Sequence, residues 1–229
     1  MSDYPIEQIR SRFPGLTRRV NGHQAIFFDG PGGSQSPESV GEAVKHYLLH
    51  QNSNVGMSFA TSIETDELIE QTMMACADFL GCTDHREIVF GQNMTSLTIQ
   101  LASALSRTWE PEDEVVVTRS DHDANVRPWV LAAKWSGAKL RWIDIDPADC
   151  THSIDSVQEN INENTVMVAI GAASNFSGTI NDVKGICSKA HSFGAEVLVD
   201  AVHYAPHGSI DVQELGCDYL ACSSYKFFG

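Results

Sequence analysis

Short apolar runs alternate with amphipathic segments along most of this chain. The runs lie at Glu114–Thr118, Thr165–Ile170, Val197–Val199 and Tyr219–Cys222, and Lys139–Ile143 predicts a further strand. Continuous apolar runs of this length are typical of strands that are buried on both faces in a parallel sheet. Two further runs, Ala25–Phe28 and Glu87–Phe90, predict strands as well.

The segments between these runs repeat apolar residues at helical spacing. Helices are predicted at Ile6–Phe13, Pro37–His50, Ser62–Leu80, Leu97–Leu105, Trp129–Gly137, Ser153–Asn162 and Val183–Phe193. Strands and helices that alternate through short connections predict an α/β fold. We therefore expect a three-layer architecture, in which a mostly parallel sheet carries helices on both faces.

Composition narrows the classes of function. The chain has 229 residues and a formal net charge of −15, and 42% of its residues are hydrophobic. So negative a protein is not expected to bind nucleic acid, because phosphates require a basic surface. No stretch approaches the roughly 20 apolar residues of a membrane span, and the charged first residues do not resemble a signal peptide. Six cysteines without a CxxC pair predict free thiols and no metal site, so we expect a cytoplasmic protein.

Ionisable side chains follow two of the predicted strands. Asp200 comes directly after Val197–Val199, and Lys226 comes shortly after Tyr219–Cys222. Ligands of open α/β sheets bind outside the carboxyl ends of the strands, so we expect both side chains at one site. An amine can form a Schiff base with a carbonyl, and a carboxylate can hold a proton on a heterocyclic nitrogen. Pyridoxal phosphate (PLP) requires both groups, which makes it the predicted cofactor.

Two small turns are candidates for ligand binding. Gly91–Ser96 joins a predicted strand to a predicted helix, and the free N–H groups of a helix N-terminus favour an anion such as phosphate. An ordinary helix cap by Thr95 or Ser96 explains the same residues equally well. The glycine-rich turn Asp29–Gly33 lets the backbone approach a ligand closely. It matches neither GxGxxG nor a P-loop, which disfavours a nucleotide-binding domain.

Several of these segments together resemble the PLP-dependent class V aminotransferase superfamily, and within it the cysteine desulfurase and selenocysteine lyase branch. The resemblance is carried by VLVDAVHYAPHGSIDVQELGCDYLACSSYKFFG at the end of the chain, by Ser120–Trp129 and Ala173–Val183, and weakly by Phe27–Pro37. It implies the large domain of fold type I. Residues 25–229 would form this PLP-binding domain, incomplete at its end, after an N-terminal helical segment of residues 1–24.

The resemblance also implies roles for single residues. Lys226 would form the aldimine with the cofactor and move the α-proton of the substrate, and Asp200 would bond to the ring nitrogen. His203 stands where relatives contact the phenolic oxygen of the ring. Phosphate-binding positions are occupied by Met94, Thr95, Ser96, Ser223 and Tyr225, the last of which replaces a histidine of the relatives.

Two positions bear on the substrate and on proton transfer. Asn175 matches an asparagine that contacts the substrate carboxylate in relatives, and the alternative is a loop asparagine that bonds to local backbone. Asp123 stands where desulfurases carry a catalytic histidine that stacks on the ring, while His122 lies one place earlier. A carboxylate cannot stack as an imidazole does, but it can act as a base. This substitution leaves an aminotransferase, an epimerase or a lyase as alternatives.

The same resemblance indicates what this chain lacks. In desulfurases the sulfur-accepting cysteine, the arginine that grips the substrate carboxylate and the small domain all follow the position of Gly229. None of the six cysteines here aligns with that acceptor. We therefore expect a truncated chain that recognises an amino acid but has little or no desulfurase turnover, and the alternative is a catalytically inactive PLP-fold fragment. Full-length relatives are homodimers, and a sulfur-accepting partner protein is a further expectation.

Overall fold

The computed structural model describes residues 4–229, and these form two compact units. The first unit contains the described residues up to Asp78, together with Thr83–Ile88 and Ser224–Gly229. The second unit contains Phe79–Cys82 and Val89–Ser223. The predicted N-terminal segment of residues 1–24 starts with residues 1–3, which lie outside the described part of the chain. The predicted boundary at residue 25 stays a prediction.

Helices and turns make up most of the first unit. Its elements are α1 (Ile6–Arg10), a 3-10 helix at Pro14–Thr17, β1 (Arg19–Val20), β2 (His23–Gln24), a 3-10 helix at Gly30–Gly32, α2 (Glu38–His50), α3 (Ala60–Leu80, which ends in the second unit), and 3-10 helices at His85–Glu87 and Ser224–Lys226. Strands β1 and β2 pair antiparallel. Asn21 and Gly22 between them have φ angles of 52° and 83°, the left-handed pair that a type I′ hairpin turn requires.

Two of the predicted strands were wrong. Ala25–Phe28 and Glu87–Phe90 form no strand, and the second run begins inside a 3-10 helix. Their apolar side chains face outward, since Phe28 is 95% exposed and Val89 is 72% exposed. A strand requires a neighbouring strand with unpaired backbone groups as well as apolar residues. The described residues supply no such neighbour at these positions.

The second unit is built on a five-stranded sheet in which every pairing is parallel. Its strands are β3 (Glu114–Thr118), β4 (Lys139–Ile143), β5 (Thr165–Gly171), β6 (Glu196–Asp200) and β7 (Tyr219–Ala221). Its helices are α4 (Met94–Leu105), α5 (Arg127–Ser136), α6 (Ile154–Asn160), α7 (Val183–His191) and α8 (Val212–Leu215). The strands lie at the five segments predicted for them, and the predicted α/β fold with a parallel sheet flanked by helices is confirmed.

The strand order β4-β3-β5-β6-β7 contains a reversal. From β3 the chain moves outward to β4 through α5, whereas from β5 it moves the opposite way to β6 through α7. Parallel crossovers are right-handed, so the two directions of travel place helices on both faces of the sheet. Helix α5 packs on β3 and β4, and α7 packs on β5 and β6. Open α/β sheets bind ligands in the crevice where such strands diverge at their carboxyl ends.

The main core lies between this sheet and helices α4 and α5. Its buried members are Val115, Val117, Met167, Ala169 and Leu198 from the strands and Ala102, Trp129, Ala132 and Ala133 from the helices. Alternate residues of a strand point to the same face, which is why Val115 and Val117 contribute together. Trp129 has no exposed surface and is the bulkiest fully buried side chain of the described residues. The position of α5 on the sheet therefore depends on this indole.

Candidate active site

A pocket opens where β3 and β5 diverge in the second unit. It has a volume of about 390 Å³. Its lining residues come from the turns that follow β3, β4 and β5, and they are Arg119, Ser120, Asp121, His122, Ile145, Cys150, Ser174, Asn175, Phe176 and Ser177. Asn175 is thus the one predicted site residue in this wall. The pocket occupies the crevice that the strand reversal creates.

The turn after β5 holds Asn175 in this wall. Ala173 and Ile180 form an isolated antiparallel bridge, and the Ser174 N–H donates to Thr179 O over 2.9 Å. Gly178 lies inside the turn with a φ of 76°, a left-handed conformation that favours glycine. The SNFSG run therefore folds back on itself and leaves Asn175 half-buried at the pocket.

Asp200 is the last residue of β6 and is only 8% exposed. Its Oδ1 accepts a hydrogen bond from the Val202 N–H over 2.9 Å, and its carbonyl oxygen accepts one from the Ala172 N–H over 2.8 Å. In the parallel register of β5 and β6 its partner is Gly171. The carboxylate is therefore bonded to the Val202 N–H at the carboxyl edge of the sheet, and Asp200 ends its strand as the sequence predicts.

A second carboxyl group, that of Asp121, lies close to Asp200. Its Oδ1 accepts from the Gly171 N–H and its Oδ2 accepts from the Asn125 side-chain amide, both over 2.9 Å. Burial of the carboxyl raises the pKa of Asp121 to about 7, and the negative charge of Asp200 adds to the rise, although the hydrogen bonds from Asn125 and Gly171 oppose it. Sequence reasoning missed this residue. The available signal was an aspartate just after a buried strand, the same signal that selects Asp200.

Asp123 and His122 occupy the short 3-10 turn between β3 and α5. Asp123 is exposed on this turn. Among the described residues, His122 lines the pocket and Asp123 does not. The His122 Nδ1 accepts from the Ala124 N–H over 3.1 Å, which caps the turn. In a neutral imidazole the other ring nitrogen then carries the hydrogen. The catalytic role predicted for Asp123 stays a prediction.

Helix α4 begins beside Ser223. The Ser223 hydroxyl oxygen accepts a hydrogen bond from the Met94 N–H over 2.9 Å, and both residues are buried. The Ser223 hydroxyl hydrogen is still available for donation. Asn93 is the N-cap, because its Oδ1 accepts from the Ser96 N–H over 2.9 Å. The alternative of a cap by Thr95 or Ser96 was therefore wrong, and Thr95 stands exposed in the first turn.

Replacing Ser223 with alanine is expected to destabilise the chain by about 1–3 kcal/mol, because the buried Met94 N–H loses its acceptor. Urea unfolding monitored by circular dichroism measures the change. The adjacent Ser224 is exposed and provides the matched control, Ser224→Ala, for which we expect little effect. Equal unfolding midpoints for the two variants would contradict the assignment of this bond.

Lys226 and Tyr225 belong to the first unit, where they lie against the glycine-rich turn. The Lys226 ammonium donates to the carbonyl oxygen of Pro31 and lies 4.8 Å from the centre of the Tyr225 ring. The Ser34 N–H donates to Tyr225 O over 3.0 Å, and the Ser34 hydroxyl accepts from the Phe228 N–H over 2.7 Å. The segment that carries the predicted cofactor lysine is therefore held to residues 29–34 by backbone hydrogen bonds.

His203 is half-buried three residues after Asp200, and its ring centre lies 5.4 Å from that of His207. The two rings meet edge to face. This places an imidazole in the turn directly after the strand that carries the buried carboxylate. Its predicted contact with the cofactor ring stays a prediction.

The cysteines and the metal-ligating side chains of the described residues offer little support for sulfur or metal chemistry. All six cysteines are free thiols, and no cluster of three or more His, Cys, Asp or Glu side chains could hold a metal ion within residues 4–229. Burial raises the pKa of Cys187 to about 12 and that of Cys217 to about 11, so both thiols stay protonated at neutral pH. Cys150 lines the pocket.

No helix within residues 4–229 has the length and apolar character of a membrane span.

Comparison with known proteins agrees with this geometry. A probable cysteine desulfurase of Halalkalibacterium halodurans is 38% identical over 225 residues, which cover 97% of this chain and 55% of the relative. The aminotransferase-like protein FGM3 of Gibberella zeae is 35% identical over 236 residues, which cover 100% of this chain and 56% of the relative. The chain therefore spans about half the length of the curated relatives it matches.

Solved structures of cysteine desulfurases and the sequence model of one family also match this chain. The crystal structure of the cysteine desulfurase CsdA from Escherichia coli superposes with a TM-score of 0.87 at 28% identity, over 99% of this chain and 56% of that one. The apo cysteine desulfurase of Thermococcus onnurineus gives 0.88 at 29% identity. The model of the "Aminotransferase class-V" family matches residues 26–229, and proteins of this family depend on PLP. The resemblance found in the sequence is thus confirmed, and the chain belongs to the class-V aminotransferase family.

Proposed function

We propose that this chain binds PLP and forms the cofactor-binding part of an enzyme that acts on an amino acid as a cysteine desulfurase or a related lyase does. The observation that carries the proposal is the buried Asp200 carboxylate, held by the Val202 N–H at the carboxyl edge of a parallel sheet. A carboxylate so placed suits a protonated ring nitrogen. When bound, PLP supplies an electron sink for negative charge that develops on the substrate.

The residues of the second unit fit the chemical groups of this cofactor. Asp200 offers a charge-assisted hydrogen bond to a pyridinium N–H, a bond about twice as strong as a neutral one. Thr95, Ser96 and the Ser223 hydroxyl offer donors at the start of α4, where the helix dipole favours an anion. Met94 contributes by fixing Ser223, because its N–H is already bonded to that hydroxyl. His203 is proposed to contact the phenolic oxygen of the ring.

Lys226 is proposed to hold the cofactor covalently and to move the substrate's α-proton. Its nitrogen must first leave the carbonyl oxygen of Pro31, to which it donates. Tyr225 is proposed to donate its hydroxyl to the phosphate. Since the backbone of Ser224–Lys226 is held to Ser34, the side chain of Lys226 can move while its main chain stays in place.

The substrate is proposed to bind in the pocket between the ends of β3 and β5. Asn175 would donate its side-chain amide to the substrate carboxylate, and the half-buried position of Asn175 in the pocket wall supports this role. His122 in the same wall, or Asp123 beside it, would take or return a proton. A homodimer, a sulfur-accepting partner protein and a cytoplasmic location belong to the same proposal.

A second candidate function is PLP binding without turnover of an amino acid. The observation that favours it is Asp123, a carboxylate where the resemblance expects a ring-stacking histidine. An aminotransferase, an epimerase or another lyase would tolerate the same substitution while still turning over an amino acid.

Titration of the purified chain with PLP tests the proposal. We expect a saturable visible absorption band, and addition of cysteine is expected to change that band. Release of alanine from cysteine would select the desulfurase, whereas PLP binding with no spectral response to cysteine or another amino acid would select the second candidate. The absence of any saturable PLP signal would contradict both.

The Asn175→Ala variant tests substrate binding separately from cofactor binding. This variant is expected to bind PLP as the unchanged chain does, but to require at least about tenfold more cysteine for the same spectral change, because a charge-assisted hydrogen bond to the carboxylate is lost. Asn164→Ala is the matched control, since Asn164 is exposed and precedes β5 whereas Asn175 follows it. An unchanged cysteine requirement in Asn175→Ala would remove Asn175 from the substrate site.

A further inference from the structure

Two carboxyl groups interact electrostatically at the carboxyl edge of the sheet in the second unit. Asp200 ends β6, and Asp121 lies in the turn after β3. Strand β5 runs between β3 and β6, so only one strand separates the two aspartates. Adjacent strands are about 4.8 Å apart, which keeps the two side chains within electrostatic range across the end of β5.

Gly171 is the spacer between these two aspartates. It is the last residue of β5 and the register partner of Asp200, and its N–H donates to Asp121 Oδ1 over 2.9 Å. A Cβ atom built at Gly171 would lie 2.7 Å from that same oxygen. Any side chain at this position would therefore push the Asp121 carboxyl away from β5 and from Asp200.

Asp121 is also held from the side of the core. The Asn125 amide nitrogen donates to Asp121 Oδ2 over 2.9 Å, and the Asn125 amide oxygen accepts from the Trp129 indole N–H over 3.3 Å. Asn125 and Trp129 have no exposed surface. A buried indole, a buried amide and a glycine N–H thus fix this carboxyl in one position.

The groups that act on the Asp121 carboxyl include one further charge, and it is negative. Thr118 on β3, Asn125 on the 3-10 turn and Gly171 on β5 contribute neutral hydrogen bonds, and Asp200 on β6 contributes a like charge. The nearby cation Arg119 is engaged elsewhere, because its Nε lies 2.5 Å from Asp144 Oδ1 and its guanidinium lies over the Trp142 ring. His122 uses its Nδ1 to accept from Ala124, and Asp123 is exposed on the same turn.

We propose that Asp121 is a positioning residue for Asp200: held beside it across Gly171, it keeps its proton until the pH approaches neutrality, so that the pair presents a single negative charge below that point. This inference rests on the proposed function, since that charge would face the ring nitrogen of PLP. Two like charges so close in a buried place cannot both ionise at little cost. Asp121 would lose its proton to solvent when a cation at Asp200 offsets the second negative charge.

The pairing can be tested on the chain without PLP. The pKa of Asp121 is raised in the folded state, so its contribution to stability is complete below about pH 4 and is lost as pH rises through about 7. Urea unfolding from about pH 4.5 to about pH 8 should show the unfolding constant of the unchanged chain rising, relative to that of Asp121→Asn, by at least about tenfold and at most about a thousandfold. If Asp121 had a merely structural role, the stability profiles of the variant and of the unchanged chain would differ by the same amount at every pH.

Two further variants complete this test. Gly171→Ala, which displaces the carboxyl, is expected to flatten the pH profile in the same way as Asp121→Asn. Asp155→Asn removes an exposed aspartate from the first turn of α6 and should parallel the unchanged chain. Should Asp121→Asn fail to fold, carbon-13 NMR of the aspartate carboxyls in the unchanged chain gives the titration directly. Parallel profiles, or no aspartate midpoint above about pH 5, would overturn the proposal.

A PLP titration over the same pH range separates this inference from the proposed function. With PLP bound, the pH midpoint of the visible band is expected to differ between the unchanged chain and Asp121→Asn. If PLP does not bind at all, the proposed function fails, while the result without PLP still decides whether the aspartates are coupled. If PLP binds and neither measurement distinguishes the two chains, the positioning role of Asp121 is wrong.

Discussion

Replacing Lys226 with alanine is expected to abolish the visible absorption band that PLP gives with the unchanged chain. The band requires a covalent bond between an amine and the aldehyde of the cofactor, and alanine has no amine. Borohydride reduction followed by peptide mass mapping should find PLP on the peptide that contains Lys226. Loss of the band in the variant should be complete, because no other residue is proposed to form this bond.

The matched control for this prediction is Lys184→Ala. Lys184 is an exposed residue of α7 with a loose ion pair to Glu214, 3.8 Å between the charged atoms. Surface lysines react with PLP weakly and without saturation, so this variant should keep the saturable band. A band that survives in Lys226→Ala, or reduced PLP that maps to Lys184, would remove Lys226 from the cofactor site.

The second large effect is expected in the core. Trp129→Ala should destabilise the chain by about 3–5 kcal/mol, because it removes the bulkiest fully buried side chain and leaves a cavity between α5 and the sheet. Trp135 lies on the same helix with 62% of its surface exposed, so Trp135→Ala should change stability by no more than about 0.5 kcal/mol. Urea unfolding of the two variants under identical conditions measures the difference. Similar costs for both would contradict the packing of α5 described above.

Trp129→Phe separates the two roles of this side chain. Phenylalanine keeps most of the apolar volume but lacks the indole N–H that Asn125 accepts. The buried amide oxygen then loses its donor, with an expected cost of about 1–3 kcal/mol. Because Asn125 also holds Asp121, the pH dependence of stability should change in this variant along with its overall stability. A change in stability alone would show that the indole N–H does not bear on the aspartate pair.

Local sequence was sufficient for those parts of the fold that local chemistry controls. The apolar runs at β3, β5 and β6 became central strands because a strand buried on both faces has no polar position to alternate with. Asp200 was found for the same reason, since a charged residue that ends such a run must lie at the edge of the sheet. Strand β4 lies at the edge of the sheet, and its exposed Lys139 and Arg141 alternate with apolar residues. Lys226 was selected because it follows the last predicted strand, and Asn175 by resemblance to a family. The chemical roles of both stay predictions.

Predictions that depend on a distant partner were the ones that failed or were missed. Ala25–Phe28 has the composition of a strand, but pairing requires a neighbour, and only the tertiary structure shows that the described chain supplies none there. Thr95 and Ser96 were plausible caps for α4, yet the choice of Asn93 depends on where the helix begins, which Ser223 influences through the Met94 N–H.

The sequence by itself therefore determined the α/β class, the family and the aspartate at the end of β6, since each follows from residues close together in the chain. The tertiary structure alone decided that Asp121 lies beside Asp200. That proximity arises because β5 inserts between β3 and β6 and because Gly171 carries no side chain at the crossing. Strand order is set by the packing of helices on both faces of the sheet, a property of the whole chain that no single segment encodes.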